Sequence, residues 1–187
     1  MSKKARAAVL VKPGLMEIRE FDLPQPEKGA ALCRVLSVGV CGTDKHSYRG
    51  ETVQYKGTEN EIDLPFPIIQ GHEIAMEIVA IDEEAAQNLS FDGDYLKVGD
   101  RITICPDVVC GKCWYCKNMP SYPWCEHLQF SYGNMRSCND GHHLYGGSAE
   151  ACHELFPLRP ERLVGALFLD HLYTPVLSHP FFVRIVS

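Results

Sequence analysis

Apolar residues gather in short runs along most of the chain, with Gly and Pro between them, and the period within the runs is that of strands rather than helices. Arg6 to Val11 reads as a strand, Lys12-Pro13-Gly14 as a turn, and Leu15 to Phe21 as a second strand. In that second strand Met16, Ile18 and Phe21 are set against Glu17, Arg19 and Glu20. An early hairpin follows from this. After a loop at Pro24, Pro26 and Gly29, the apolar run Ala30 to Val40 forms a long strand that delivers Cys41 at its end. Ser47 to Ile62 is polar and aperiodic and reads as an exposed loop on the way to Ile68 and Ile69.

Glu73 to Ile81 is β-compatible, Asp82 to Tyr95 reads as a surface loop with a short helical turn, and Val98 to Arg101 turns into a strand over Ile102 to Cys105. The segment Ala151 to Pro157 makes a poor strand. From Pro160, with Glu161 in a first turn, the spacing of Leu163, Val164, Leu167, Phe168 and Leu172 predicts a helix that ends before Pro175. Many short strands with Gly and Pro punctuation give a mainly β, barrel-like domain with a short C-terminal helix.

Composition narrows the function classes. The chain has 187 residues, enough to bury a core, and a formal net charge of −6 without a basic stripe. That excludes nucleic acid and an anionic membrane surface as expected partners, because both need clustered Lys and Arg. The apolar stretch behind the N-terminal Lys3, Lys4 and Arg6 is too short for a signal-peptide core, and no run is long enough to span a bilayer. Nine cysteines in such a chain point to the reducing cytoplasm, where thiols serve metals or chemistry. There is no internal repeat or low-complexity tract, and no Gly-x-Gly-x-x-Gly follows a strand anywhere.

Cys110, Cys113 and Cys116 stand at Cys-x2-Cys-x2-Cys spacing, and Cys125 follows after eight residues. Four thiolates so spaced complete a tetrahedral zinc shell with no open position, which is a structural site. Buried free thiols or a disulfide pair fit this spacing less well. A nucleic-acid-binding zinc ribbon would need more basic residues than Lys112 and Lys117 beside Trp114, Tyr115 and Trp124. Metal binding is expected to fold this stretch, which has too few aliphatic residues to build its own core. A second pair, Cys41 and His72, joins a soft sulfur ligand to an imidazole, each beside a glycine, and zinc uses that combination too. Cys33, Cys105, Cys138 and Cys152 fit no spacing and read as core or incidental thiols.

Five landmarks run in order along residues 5 to 150: Val38 to Asp44, Gly71-His72-Glu73, Val98 to Arg101, the four-cysteine lobe, and Gly146 to Glu150. With them the chain resembles the N-terminal, GroES-like catalytic domain of the zinc-dependent medium-chain alcohol dehydrogenases. The resemblance implies a partly open β-barrel over residues 1–155, with a structural-zinc lobe at about 105–130. It implies that Cys41 and His72 bind a catalytic zinc and that Glu73 ligates it transiently or adjusts its charge. Thr43 would hydrogen-bond a substrate alcohol, His46 would pass its proton to solvent, and Asp44 would orient His72. The implied reaction is oxidation of an alcohol or polyol hydroxyl to a carbonyl, with hydride going to NAD or NADP. Homo-oligomers are common in such proteins.

The chain departs from that pattern in places. Met76 stands where the family usually has glycine, and the stretches 47–62 and 82–95 look longer than usual. A third protein ligand of the catalytic zinc is expected near Asp170, with His171 beside it as the alternative. Residues 156–187 read as an atypical or truncated tail leading toward a cofactor-binding Rossmann domain that the sequence does not contain. The expected function is therefore the catalytic portion of a dehydrogenase, inactive without a cofactor domain. The rival reading is a non-catalytic zinc-stabilised β-barrel, an interaction module or a remnant. A co-chaperonin-like barrel is a third reading, which the zinc lobe disfavours.

Overall fold

The computed structural model describes residues 4–54, 56–59, 61–88, 90–91, 94–118, 125–155 and 166–168. The hairpin predicted at the start is present as β1 (Lys4–Lys12) and β2 (Leu15–Asp22), paired antiparallel from Lys4↔Asp22 onward. Alternation along β1 sends Ala5, Ala7 and Val9 inward, and Gly14 turns the hairpin at a φ of 75° that suits glycine. β3 (Ala30–Gly39) follows and leads directly into helix α1 (Gly42–Tyr48). The polar stretch after α1 carries a two-residue hairpin, β4 (Val53–Gln54) with β5 (Ile62–Asp63). β6 (Ile68–Ile69) then joins the other edge of β1.

β7 (Glu73–Ile81) pairs with β3 along nearly its whole length, and α2 (Glu83–Asn88) is the short helical turn predicted after it. The small hairpin of β8 (Ser90–Phe91) with β9 (Asp94–Tyr95) leads to β10 (Arg101–Ile104). β11 (Asp107–Val108) and β12 (Phe130–Ser131) pair across the base of the cysteine lobe, which carries helix α3 (Trp114–Asn118). β13 (Ala151–Leu155) and β14 (Ala166–Phe168) complete the set.

The strands form two main antiparallel sheets, β2-β1-β6 and β13-β3-β7-β10-β14. They are stitched where Ala7 bridges Ala149, with Ala8 N–H donating to Ser148 O at 2.8 Å and Glu150 N–H to Arg6 O at 2.9 Å. The larger sheet packs on a core that includes Ile74, Met76, Ile78, Ile102, Phe130 and Tyr132, and a second cluster joins Ala5, Ala7, Val9 and Ile69 of the first sheet to Leu32 and Ala151 of the second. Met76 is fully buried in that larger-sheet core.

Two expectations from the sequence change here. Ala151 to Leu155, read as a poor strand, pairs with β3 over five residues from Ala151↔Arg34 to Leu155↔Ala30. Small Ala151 and Cys152 are buried against β3, so packing overrides weak intrinsic preference. Ala166 to Phe168, inside the predicted helix, is a strand paired with β10 at Ile102↔Phe168 and Ile104↔Ala166. A short apolar run fits either period, and the free edge of β10 decides it. The remainder of that predicted helix lies outside the described residues, as do Asp170, His171 and Trp124.

Candidate metal centres

Among the described residues, two groups of side chains converge as a metal ion requires, and both were singled out by the sequence. Cys110, Cys113, Cys116 and Cys125 place their sulfurs within 4.8 Å of one another, and all are free thiols. Cys110 Sγ and Cys116 Sγ are 4.0 Å apart. Backbone amides converge on these sulfurs: Cys110 N–H on Cys125 Sγ at 3.3 Å, and Lys112 N–H and Cys113 N–H on Cys110 Sγ, each at 3.4 Å. Cys116 N–H donates to Cys113 Sγ at 3.4 Å. These donors stabilise thiolates, the form that binds metal.

The four thiols are not equivalent. The Cys116 amide, ahead of the opposing effect of burial, draws the Cys113 thiol down to about 6. Burial, reinforced by the thiols of Cys113 and Cys125, pushes Cys116 up to about 12. Burial also raises Cys125, whereas at Cys110 it is outweighed by the Lys112 and Cys113 amides and the net direction is downward. Holding all four sulfurs at this spacing as thiolates calls for a cation to compensate their charge. Four soft donors with no oxygen or nitrogen among them fit zinc in a closed shell. Val108 and Phe130, both buried, anchor the lobe to the main core through the β11–β12 pair.

The second group is Cys41, His72 and Glu73, whose ligand atoms likewise lie within 4.8 Å of one another. Cys41 is the N-cap of α1, with extended backbone at φ −81° and ψ 165°. Asp44, in the first turn of that helix, accepts the Cys41 N–H on Oδ2 at 2.9 Å and the Gly71 N–H on Oδ1 at 3.3 Å. One buried carboxylate thus ties together the two segments that carry Cys41 and His72. Asp44 Oδ1 also stands 3.8 Å from His72 Nδ1, which is buried and has no hydrogen-bond partner among the described residues. A ring nitrogen facing a carboxylate in this way suits an imidazole whose other nitrogen is committed to a metal.

Glu73 opens β7 opposite Gly39 in β3, and its carboxylate occupies the space where a Cβ on residue 39 would sit. Gly71, at φ 95°, passes Val38 so closely that a Cβ would stand 2.6 Å from Val38 Cγ2. Backbone angle and close approach require glycine at 71, whereas a Cβ at 39 would displace the Glu73 carboxylate from the centre. One sulfur, one imidazole and one exposed carboxylate fit zinc in a site that retains an open side. Thr43 Oγ1 lies 3.8 Å from Cys41 Sγ. His46 sits on the exposed side of α1 with Nδ1 2.6 Å from Glu51 Oε2.

Residues that the sequence reading passed over also meet here. Gln70, 5% exposed, donates from Nε2 to the Asp44 carbonyl at 3.0 Å. Gly133 lies against the Gly71 backbone, where a Cβ would be 2.6 Å from Gly71 O. Gln70 stands beside the Gly71-His72-Glu73 motif and Gly133 beside none, but each acts through contacts distant in sequence that no local pattern marks. Of the remaining thiols, Cys33, Cys138 and Cys152 are buried, and Cys105 is half-buried with its thiol pushed up by burial.

Comparison with known proteins agrees with this architecture. The L-threonine 3-dehydrogenase of Pyrococcus horikoshii is 35% identical over 131 residues, which cover 69% of this chain and 33% of that protein. Sorbitol dehydrogenase of Bacillus subtilis is 33% identical over 125 residues, covering 67% of this chain and 31% of that protein. The crystal structure of an alcohol dehydrogenase from Thermotoga maritima superposes with a TM-score of 0.69 at 31% identity, over 89% of this chain and 41% of that one. The chain spans about a third of the length of these curated relatives. The family model described as the alcohol dehydrogenase GroES-like domain matches residues 27–153, which hold both cysteine-bearing centres, and the chain belongs to that family.

Proposed function

We propose that this chain is the zinc-carrying catalytic domain of an NAD(P)-linked dehydrogenase that oxidises an alcohol or polyol hydroxyl to a carbonyl. The observation that carries this reading is the convergence of Cys41, His72 and Glu73 on one point at the end of β3 and the start of β7. Residues 1–155 are the catalytic domain, with a structural-zinc lobe at about 105–130, and residues 156–187 lead toward the cofactor-binding part. Cys110, Cys113, Cys116 and Cys125 hold the structural zinc. Cys41 and His72 hold the catalytic one, with Asp170, or His171 beside it, as the third protein ligand and Glu73 ligating transiently or adjusting the charge.

Zinc held at the second centre supplies the Lewis acidity that hydroxyl oxidation needs. The chain's own residues do the rest of the preparation. Asp44 fixes the Cys41 backbone and faces the His72 ring, so both ligands are set before metal arrives. Thr43 places a hydroxyl beside the Cys41 sulfur, where it hydrogen-bonds the substrate hydroxyl and takes part in moving its proton. His46, exposed and paired with Glu51, receives that proton on the solvent side. NAD or NADP is the hydride acceptor in this reading. The acceptor must be held over the reacting carbon, which calls for a nucleotide-binding part beside this domain. The trial substrates suggested by the relatives are a β-hydroxy amino acid and a sugar alcohol, and a homo-oligomer is the expected assembly.

The test is cobalt substitution followed by addition of alcohol. We expect the cobalt spectrum of the second centre to shift with a small alcohol or polyol in the intact chain, and the shift to vanish in His72→Ala. A spectrum indifferent to every alcohol, polyol and hydroxy amino acid tried would remove the catalytic reading and leave a zinc-stabilised β-barrel.

A further inference from the structure

We propose that Gln70 is a positioning residue for the Cys41, His72 and Glu73 centre, acting as a strut between the helix that presents Cys41 and the segment that presents His72. This inference rests on the metal-site reading given above. The two ligand-bearing segments are far apart in sequence and meet only through tertiary contacts, two of which run through Asp44. One is the Asp44 carboxylate, which reaches Cys41 N–H and Gly71 N–H. The other runs in the opposite sense: the Gln70 amide Nε2 crosses back to the Asp44 carbonyl at 3.0 Å. Asp44 is therefore gripped at its side chain by the backbone of one segment and at its backbone by a side chain of that same segment.

Burial makes this second grip matter. Gln70 is 5% exposed and Asp44 7% exposed, so neither group of the bond has free access to water as a substitute. The strut itself is braced from behind. Ser148 N–H donates to Gln70 O at 2.8 Å and Gly147 N–H to Gly71 O at 2.9 Å, which lays the Gly146 to Ser148 strand of backbone along Gln70 and Gly71. A Cβ on Gly146 would collide with the carbonyls of Ile69 and Gln70. Gly146 and Gly147 stand among the landmarks of the sequence, and here they hold the Gln70 backbone fixed so that its side chain can fix Asp44. The Asp44 carboxylate faces His72 Nδ1 at 3.8 Å, so a shift of α1 against Gln70 moves Cys41 and the His72 partner together.

The experiment titrates cobalt(II) into the metal-free full chain, comparing the wild type with Gln70→Glu and Gln70→Met. The Glu variant keeps the length and replaces the donor by an acceptor facing the Asp44 carbonyl; the Met variant removes the donor without adding charge. The four-thiolate lobe and the mixed-donor centre give distinct cobalt spectra, so loading of the lobe reports that each variant has folded. The expected result is lobe loading equal to wild type, with affinity at the mixed-donor centre weakened by about ten- to a hundredfold and its absorption bands shifted. Variants that load both centres with wild-type affinity and unchanged bands would overturn the role given to Gln70 and leave the metal site standing. A wild type that loads only the lobe would instead overturn the metal-site reading and the strut with it.

Discussion

The two cysteine-bearing centres are built by opposite routes. In the lobe, every donor comes from the single stretch Cys110 to Cys125, and the amides that orient the sulfurs belong to the same stretch. At the other centre the donors are of three kinds and come from α1 and from the start of β7, brought together by a buried carboxylate and a buried amide. The lobe therefore needs its ion to define its shape, since closely packed sulfurs do not hold themselves together. The mixed-donor centre is shaped by the surrounding strands, and in the proposed reading one side of a bound ion stays free for substrate. Metal removal should unmake the first and merely empty the second.

The largest expected effect follows from this directly. Cys113→Ser should cost the lobe its zinc and open residues 105–130 to protease, because structural zinc in small domains contributes on the order of 10 kcal/mol. Limited proteolysis together with metal content reads the outcome, and a lobe that stays protease-resistant without zinc would break the contrast. Next in size, His72→Ala should weaken metal binding at the mixed-donor centre by more than about a hundredfold, beyond the range typical of outer-shell changes. Its thermal midpoint should hardly move, since His72 Nδ1 has no hydrogen-bond partner among the described residues. A large drop in the midpoint would show that the imidazole supports the barrel itself.

Smaller effects sharpen the same comparison. Gly71→Ala should destabilise the chain by about 2 kcal/mol in urea unfolding, combining a φ of 95° with the 2.6 Å approach of the new Cβ to Val38 Cγ2. The smallest effect concerns the lobe without metal. A thiol reacts as its thiolate, and the difference between Cys113, drawn down to about 6, and Cys116, pushed up to about 12, exists only while the lobe keeps its shape. Mass mapping of peptides alkylated at pH 7 after zinc removal should find the two modified together, and Cys113 modified well before Cys116 would show a lobe that keeps its shape without its ion.

How much of this was legible in the sequence depended on whether the decisive contacts were local. β1, β2, β3 and β7 could be read from alternation and from their bounding turns, because those signals sit inside each element. The four cysteines could be read for the same reason. β13 was underestimated because Ala151 and Cys152 carry no β-branched signal and gain their strand character from β3 alongside. β14 took helical spacing at 166–168 and became a strand because β10 had an edge to fill. Gln70 was invisible, since its partner is the carbonyl of Asp44, 26 positions away in the chain. The motifs could name Cys41 and His72 as partners, but what holds them together is tertiary and had to be seen.

The central claim is that one chain carries two metal centres, one made by its ion and one made by its fold. Native mass spectrometry of the zinc-loaded full chain, followed through a chelator time course, tests it most directly. The account predicts two zinc ions per chain and two release phases: a fast loss that leaves the chain compact, absent in His72→Ala, and a slow loss that coincides with a shift to higher charge states. A single zinc ion per chain, or two lost together with unfolding, would contradict it.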